Sequence, residues 1–429
     1  MKLVVRGGRV VDPSQDLDGD FEILIEDGHI AQVDKKVKGT RGAEVYEANG
    51  MVVSPGLIDM HVHLREPGQE YKETVRTGTL AAAAAGFTSV ACMPNTAPVI
   101  DNRSVTEHVM KEAREAGFAR VYPIGAVSKG QRGEELAEIG EMVTAGVVAI
   151  SDDGFPVSNA ELMRRALLYA QHYDIPVIQH AQDLDLSAGG VMNEGEWSTR
   201  LGLPGAPGSA EDVMVARDVI LSEDTGGRYH VAHLSTARSL DMVRRAKAQG
   251  LAVTCEVTPH HLVLTDEAVS ETGFSTHTKM NPPLRSDRDR EALLNGLADG
   301  TIDAIASDHA PHHVDEKDVE FSVAPFGVIG LETNLSICLD RLVKPGIISL
   351  NRLVELFTTG PARVLNLPVG TLKTGAPGDL TVFHPKRPVT VRAQRFRSKA
   401  RNTPFEGWRL RGRPVATILG GAVLTRPKQ

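Results

Sequence analysis

The chain has 429 residues and a net charge of −8, with 41% hydrophobic and 24% charged residues. These values are typical of a globular protein with one large domain and a smaller one. The negative balance and the 4% aromatic content argue against a nucleic-acid-binding protein, because such proteins present basic surfaces and stacking platforms. No apolar run is long enough to cross a membrane.

The three cysteines, Cys92, Cys255 and Cys338, are widely spaced along the chain. Their odd number and their spacing predict neither a disulfide framework nor a Cys-x-x-Cys metal motif. The apolar stretch within residues 1–8 is too short for a signal peptide. We therefore expect the protein to be cytoplasmic.

Residues 1–55 show the pattern of short strands and turns. In residues 21–25, Phe21, Ile23 and Ile25 alternate with other residues and share one face of a strand. The dipeptide Asp27-Gly28 then predicts a hairpin turn, with residues 29–33 as the returning strand.

From Val53 onward, apolar strands alternate with helical segments. The predicted strands are residues 53–60, 87–93, 120–127, 147–150, 175–179, 229–232, 251–257 and 302–306. The predicted helices are residues 72–85, 104–116, 134–145, 159–173, 209–221, 239–249 and 288–298. This alternation predicts an α/β fold of the (β/α)8 TIM-barrel type. A doubly wound open sheet is the alternative, but no Gly-x-Gly-x-x-Gly motif follows the first strand.

The β-rich pattern returns near the C-terminus, at residues 378–383 and 415–419, with Gly420-Gly421 as a turn. We predict that residues 1–55 and 366–429 together form a small β-sandwich domain built from both chain ends. Residues 56–365 would then form a metal-dependent barrel.

The first barrel strand ends in His61-Val62-His63. Residues i and i+2 of a strand point to the same face, so the two imidazoles lie side by side. Such a pair suits a divalent first-row metal. The motif also occurs by chance on exposed strands, so a metal site requires further ligands from other strands.

Other strands of the predicted barrel also end in polar residues, and active sites of this fold lie at that rim. The candidates at these ends are Asn95, Asp152, Asp153, His180, His233 and Asp308. Nitrogen and oxygen ligands without thiolates fit catalytic zinc, and their number favours two ions. Asp153 would bridge these ions, with Asp152 as the alternative. Asp308 could move a proton between water and a leaving nitrogen. His230, on the sixth strand, is interpreted as structural.

The motifs together resemble a known family. Residues 55–63, PGLIDMHVH, are similar to the opening strand of the amidohydrolase superfamily. Four further segments resemble the bacterial class I dihydroorotases: residues 63–68 (HLREPG), 93–96 (MPNT), 281–285 (NPPLR) and 307–312 (SDHAPH). The resemblance implies zinc-dependent, reversible cyclisation of N-carbamoyl-L-aspartate to L-dihydroorotate in de novo pyrimidine biosynthesis.

The resemblance also implies a role for each site residue. The first zinc would be held by His61, His63 and Asp308, the second by His180 and His233, with Asp153 as the bridge and Asp308 as the catalytic residue. The substrate-binding residues implied are His63, Arg65, Asn95, Asn281, His312, Phe326 and Gly327. Arg65 and Asn95 would hold the substrate carboxylate, because a guanidinium offers a planar fork of donors. Alternatively, Asn281 only shapes a turn, and Arg65 pairs with Glu66 or Glu70 on the surface.

Two other functions stay open at this point. Hydantoinases and allantoinases share the barrel and the histidines but usually carry a carboxylated lysine as the bridge, where this chain has Ser151-Asp152-Asp153. A non-catalytic dihydroorotase-like subunit of aspartate transcarbamoylase would usually lack some of the zinc ligands. For the active enzyme we expect a small-molecule substrate, a homo-oligomer and a possible complex with aspartate transcarbamoylase, without nucleic-acid or membrane partners.

Overall fold

The structure is a computed structural model that describes residues 1–425. Its centre is an eight-stranded parallel sheet whose strands follow one another in chain order. The strands are Leu57–Val62, Phe87–Cys92, Arg120–Gly125, Ala149–Ser151, Val177–Gln179, Tyr229–Val231, Val253–Val257 and Ala304–Ile305. The sheet closes where Val62 pairs in parallel with His309, and His63 N donates to His309 O at 2.9 Å. The predicted (β/α)8 barrel is confirmed.

Among the described residues, ten helices connect these strands and four more follow the last strand. They span Val75–Ala85, Arg103–Ala116, Ile139–Ala145, Ala160–Gln171, Glu196–Leu201, Ser209–Thr225, Ala237–Ala248, Pro259–Val263, Ala268–Glu271, Asp287–Ala298, Val314–Lys317, Leu331–Cys338, Leu350–Phe357 and Thr359–Val364. The first helix begins at Val75 rather than at the predicted Lys72, because the Thr74 side chain accepts from Thr77 N and caps it. It ends at Gly86, which has a φ of 99°, a left-handed conformation that glycine adopts readily.

The strand predicted over residues 53–60 is two strands that belong to different sheets. Val52–Pro55 pairs with residues 380–383, whereas Leu57–Val62 pairs with the second barrel strand. Gly56 lies at the change of sheet, where a Cβ atom would stand only 2.0 Å from Thr88 Oγ1. The absence of a side chain at residue 56 therefore allows the chain to pass from one sheet to the other.

Both ends of the chain build two further sheets. One has four strands, Lys2–Arg6, Glu22–Glu26, His29–Asp34 and Glu44–Glu47. The other has six, Arg9–Asp12, Leu17–Asp20, Val52–Pro55, Leu380–Thr390, Arg409–Leu419 and Ala422–Thr425. Buried side chains of both sheets, such as Ile23 and Val382, pack into one hydrophobic cluster. This arrangement is a β-sandwich, and it contains the predicted hairpin between Ile25 and Ile30.

A separate hydrophobic cluster fills the inside of the barrel. Met60, Ala91, Ile124 and Ala149 come from its first four strands, and Ile178 and Ala304 come from the fifth and eighth. Packed side chains therefore close the barrel beneath the rim and leave the strand ends as the place for chemistry. Among the described residues, no helix combines the length and apolar character needed to span a membrane.

Candidate active site

His61 and His63 lie side by side at the end of the first barrel strand and are buried, with 0% and 5% of their surface exposed. In each ring, Nδ1 has a hydrogen-bond partner: Glu256 Oε1 at 2.7 Å for His61 and Asn95 Oδ1 at 2.8 Å for His63. Because both partners are oxygen acceptors, each Nδ1 carries the proton. Each Nε2 is left as a lone-pair donor that faces the centre of the site.

Asp308 follows the eighth strand and faces the same point. Its Oδ1 lies 3.1 Å from His63 Nε2 and 3.5 Å from His61 Nε2. Burial alone would raise the pKa of Asp308, but His61 and His63 outweigh burial and lower it. Asp308 has a φ of 44°, a strained conformation for a non-glycine residue and one that is common at functional sites.

Asp153 lies between the two pairs of histidines. Its Oδ2 is 3.4 Å from His61 Nε2 and 3.5 Å from His63 Nε2, and its Oδ1 is 3.6 Å from His180 Nδ1 and 3.5 Å from His233 Nε2. Burial opposes ionisation, yet the histidines hold the pKa of Asp153 well below its ordinary value. Each carboxylate oxygen thus faces a different histidine pair.

Asp152, the alternative bridge, points elsewhere. Its Oδ1 accepts from Val127 N at 2.8 Å and Ser128 N at 3.0 Å, and its Oδ2 accepts from Ser128 Oγ. These bonds hold the loop after the third strand. Asp152 is therefore already satisfied by its neighbours and does not face the histidines.

His180 and His233 end the fifth and sixth strands and meet at His180 Nδ1 and His233 Nε2, which are 2.9 Å apart. The other nitrogen of His180, Nε2, lies 3.0 Å from Gln182 Oε1. His233, like Asp308, has a positive φ, of 31°. Two imidazole nitrogens and Asp153 Oδ1 therefore converge on one point, an arrangement that a shared proton or a cation stabilises.

The residues present fit a metal ion. Two buried atoms at the centre, His61 Nε2 and Asp153 Oδ1, have no hydrogen-bond partner among the described residues, which is costly unless something else binds them. Two groups have ligand atoms close enough for one ion: His61, His63 and Asp308, and His61, Asp153 and His233. Imidazole and carboxylate ligands without thiolate match catalytic zinc sites.

Glu256, from the seventh strand, completes the surroundings of His61 and is a residue that sequence reasoning missed. It is 1% exposed and lies between His61 Nδ1 and His230 Nε2, the latter 3.6 Å away. Burial opposes ionisation, but the neighbouring His230 and His61 imidazoles lower the pKa of Glu256 to about 2. A glutamate within an apolar strand is itself a signal, since buried carboxylates are rare unless paired.

His260 and His261 follow the same strand and were also missed. His261 is held by Thr258 Oγ1 at 2.7 Å and by Pro282 O at 3.0 Å. Burial, together with the His233 charge, lowers the pKa of His261 to about 3. The neutral ring supports the loop before Pro283 and places no further charge beside the site.

Arg65 lies at the rim close to the first pair of histidines and is 8% exposed. Its Nε donates to Pro311 O at 3.2 Å, and its terminal nitrogens make no hydrogen bond to a described residue. Burial lowers the pKa of Arg65. Glu66 and Glu70 accept instead from Val75 N and Gly68 N, so the surface ion pair considered for Arg65 is absent from the described residues.

The remaining predicted substrate residues lie around the same opening. Asn281 Nδ2 is 2.8 Å from Gln182 Oε1 and 3.0 Å from His180 Nε2, so Asn281 does more than shape a turn. His312 Nε2 donates to Phe326 O at 2.8 Å. A Cβ on Gly327, which has a φ of 119°, would stand 3.2 Å from His312 Nε2.

Comparison with known proteins identifies relatives over the whole chain. The family model described as dihydro-orotase-like matches residues 50–239. A protein named dihydroorotase from Citrifermentans bemidjiense is 54% identical over 424 residues, covering 99% of each chain. A dihydroorotase from Anaeromyxobacter dehalogenans is 56% identical over 422 residues, covering 98% of this chain and 97% of its own.

Solved structures share the fold. An L-hydantoinase (dihydropyrimidinase) from Arthrobacter aurescens is 25% identical, with a TM-score of 0.88, and the match covers 100% of this chain and 96% of that one. A dihydropyrimidinase from Brevibacillus agri is 24% identical, with a TM-score of 0.87 and the same coverage. At this identity the likeness shows the shared barrel and sandwich.

Proposed function

The chain belongs to the dihydroorotase family, and from that premise we propose that it catalyses the reversible cyclisation of N-carbamoyl-L-aspartate to L-dihydroorotate. This reaction is a step of de novo pyrimidine biosynthesis. The observation that carries the proposal is the convergence of four imidazoles and two carboxylates beside a buried arginine. The imidazoles and carboxylates can open a cyclic amide, while the arginine binds the carboxylate of the same substrate.

The proposed cofactor is zinc, with two ions for each chain. His61, His63 and Asp308 would hold one ion, His180 and His233 the other, and Asp153 would bridge them. When bound, zinc acts as a Lewis acid that activates water and polarises a carbonyl. Elemental analysis tests this proposal: the parent protein should contain zinc, and the double variant His61→Ala, His63→Ala should lose it together with activity. Full zinc content and turnover in the double variant would contradict it.

Asp308 is the proposed proton carrier. In the hydrolytic direction, water adds to the ring carbonyl carbon next to the methylene group while Asp308 takes a proton from it. The carbon–nitrogen bond then breaks, and Asp308 gives the proton to the departing ureido nitrogen. Cyclisation runs through the same steps in reverse. The lowered pKa of Asp308 keeps its carboxyl group ionised at neutral pH, which is the form that accepts a proton.

Arg65 is proposed to bind the substrate carboxylate, together with Asn95. Its two terminal nitrogens are available for a bidentate contact, which is the strong form of a charge-assisted hydrogen bond. Asn281 and His312 would contact the other polar edges of the ring, and Phe326 and Gly327 would contact it through their backbone. His63 is proposed to contact the substrate as well as to hold the metal.

A hydantoinase would not need Arg65 for binding an unsubstituted hydantoin, because this substrate has no carboxylate. We expect the parent protein to turn over dihydroorotate far faster than hydantoin. Arg65→Met should weaken use of dihydroorotate about 100-fold in kcat/KM, the scale for losing a buried charged pair, while any hydantoin turnover stays unchanged. Comparable turnover of both substrates by the parent protein would favour the alternative.

Assembly and location complete the proposal. A second copy of the chain would cover exposed apolar side chains of two adjacent helices, Leu168, Tyr169, Val213 and Ile220, which are all more than 40% exposed. Sedimentation of the parent and of Ile220→Asp tests this homo-oligomer, and co-purification with aspartate transcarbamoylase tests that complex.

Three buried thiols, which form no disulfide, support a cytoplasmic location.

A further inference from the structure

A strongly basic segment stands out against the negative chain. Residues 385–413 contain ten lysines and arginines and one acidic residue, Glu406. The segment runs from the strand Leu380–Thr390 to the strand Arg409–Leu419 of the sandwich. A net negative chain that concentrates positive charge in this way creates a local field that attracts anions.

Part of this segment lines a cleft between the sandwich and the barrel. The cleft has a volume of about 750 Å³, which lies in the range of small-molecule sites. Arg392, Arg395, Arg397 and Arg413 line it on one side, and barrel helices close it on the other through Glu332 and Thr333. Glu332 Oε1 accepts from Arg397 N at 2.6 Å and from Ser398 N at 3.1 Å. Val389, Val391 and Phe396 add apolar surface.

Arg413 is the most informative of these arginines. Its Nε is buried and has no hydrogen-bond partner among the described residues. Burial and the nearby Arg387 charge lower the pKa of Arg413. The side chains of Arg395 and Arg397 likewise make no hydrogen bond or ion pair to a described residue, and only Arg392 has a carboxylate partner, Glu406, at 3.3 Å.

Arg120 shows how this chain treats a half-buried arginine elsewhere. It donates to both carboxylate oxygens of Asp379, at 2.6 and 3.2 Å, and this contact raises its pKa. A buried guanidinium nitrogen without such a partner destabilises the fold, because it has given up its hydrogen bond to water and gained none in return. Arg413 Nε has no such anionic acceptor among the described residues.

We propose that this cleft binds a small molecule with two or more phosphate groups and the size of a nucleotide. Phosphate oxygens would accept from Arg413, Arg395 and Arg397, because guanidinium forks match phosphate geometry. An apolar moiety would pack against Val389, Val391 and Phe396. The site is separate from the metal centre and independent of the reaction proposed above.

Calorimetry with inorganic pyrophosphate and with ATP tests the proposal. The zinc-loaded protein is titrated at constant ionic strength, and its zinc content is measured afterwards to exclude chelation. We expect one saturable site for each chain with both probes. ATP should bind more tightly than pyrophosphate, because only ATP has a base and sugar to reach the apolar surface. Absence of saturable binding for both probes would overturn the proposal, and equal affinities would overturn its apolar part.

Three variants locate the binding. Arg413→Met and Arg395→Met should each weaken binding about tenfold, as expected for loss of charge-assisted hydrogen bonds. Arg411→Met is the matched control, because Arg411 lies two residues away on the same strand but is exposed and does not line the cleft. Arg395 is exposed, so its variant remains informative even where Arg413→Met does not fold.

Two results would assign the binding elsewhere and so overturn the proposal. Equal weakening by Arg411→Met and Arg413→Met would indicate unspecific attraction by the basic segment as a whole. Loss of binding in Arg65→Met, with full binding in Arg413→Met and Arg395→Met, would place the phosphates at the metal centre.

Discussion

One oxygen of Asp308 lies 3.1 Å from His63 Nε2, while the other makes no hydrogen bond to a described residue. A single carboxylate can therefore act as a ligand and as a base, and Asp308→Asn separates these roles. We expect turnover to fall about 10²–10⁴-fold in both directions, the usual contribution of general acid–base catalysis. Dihydroorotate binding and zinc content should largely persist, because asparagine keeps the shape.

Steady-state rates and zinc content, measured on the same preparation of Asp308→Asn, test this prediction. Asp315→Asn is a suitable control, because Asp315 is exposed and pairs with His313 rather than with a predicted metal ligand. If Asp308→Asn turns over like the parent, Asp308 only caps the following loop and has no part in proton transfer.

Glu256 offers a test of the charge behind His61. Glu256→Gln keeps the acceptor for His61 Nδ1 but removes the negative charge that makes the imidazole a better ligand. Loss of such an outer partner typically weakens metal binding about 10–100-fold. Competition with a chelator should detect this change directly, without relying on activity.

Glu211→Gln is the matched control, because Glu211 is as buried as Glu256 but accepts from Ser235 N and Thr236 N rather than from an imidazole. Equal zinc affinities in the parent and in Glu256→Gln would show that Glu256 has only a packing role.

Prediction from sequence works best for side chains at strand ends. The period of a strand aligns His61 with His63, and parallel barrel strands all end at one rim, so Asp153, His180 and Asp308 meet there. The same reasoning cannot find Glu256, because the partner of a strand-interior carboxylate depends on the packing of neighbouring strands. Gln182 was missed for a similar reason, since it comes from a loop.

At the scale of elements, two buried lysines organise the loops around the substrate opening. Lys317 and Lys279 are 4% and 2% exposed. Lys317 Nζ donates to Thr276 O at 3.1 Å and to Pro325 O at 2.7 Å, and Lys279 Nζ donates to Phe321 O at 2.8 Å. Their ammonium groups thus join three loops through backbone carbonyls.

Lys317→Met should loosen the loop that carries Phe326 and Gly327. Pro325 O would lose its donor, so the backbone that faces the substrate would be less well ordered. We expect KM for dihydroorotate to rise about tenfold with kcat nearly unchanged, since one buried hydrogen bond contributes about 1 kcal/mol and its acceptor is left unsatisfied. Lys129→Met, at an exposed lysine, is the control. An unchanged KM would show that the loop is ordered without Lys317.

The same residue predicts a dependence of stability on pH. Burial and the neighbouring Lys279 lower the pKa of Lys317 to about 7, whereas an unfolded lysine titrates near 10.4. Between these values the unfolded state binds more protons, so this group makes the free energy of unfolding rise with pH. Urea denaturation at pH 7 and pH 9 should show a smaller rise for Lys317→Met than for the parent; an equal rise would remove Lys317 as its source.

Local signals predict helices and their ends better than they predict where a strand belongs. Glycine after a helical stretch marked the ends at Gly86, Gly117 and Gly146, because the left-handed cap is a local feature. The change of sheet at Gly56 was missed, since it depends on pairing with residues 380–383, more than 300 positions away. The hydrophobic pattern alone predicts a single strand over residues 53–60.

Across the whole molecule, net charge is a poor guide to surface chemistry. The balance of −8 argued against polyanion binding, yet the basic segment at residues 385–413 forms a cleft lined by arginines. The basic residues are close together in the sequence, but the fold is needed to place Arg392 and Arg413 on the same side of the cleft. Overall charge therefore describes solubility and long-range attraction, while sites depend on local arrangement.

The sandwich and the barrel are tied together by polar contacts with buried atoms. Arg120 of the third barrel strand binds Asp379. Leu57 N donates to Thr381 Oγ1 at 3.1 Å, and Thr417 Oγ1 donates to Ala83 O at 2.6 Å. We propose that residues 1–55 and 366–429 form one unit and residues 56–365 the other, and that these contacts make the two unfold together.

Arg120→Met tests this coupling. The substitution leaves the Asp379 carboxylate, 5% exposed, without its cation, and an unsatisfied buried acceptor costs about 1–3 kcal/mol. We expect one cooperative unfolding transition, lower in free energy by that amount, in both far-ultraviolet circular dichroism and tryptophan fluorescence. Arg103→Met is the control, because Arg103 pairs only with exposed glutamates and such pairs contribute about 0–1 kcal/mol. Two separate transitions in the parent protein would show that the sandwich and the barrel unfold independently, and an unchanged stability of Arg120→Met would remove this ion pair from their coupling.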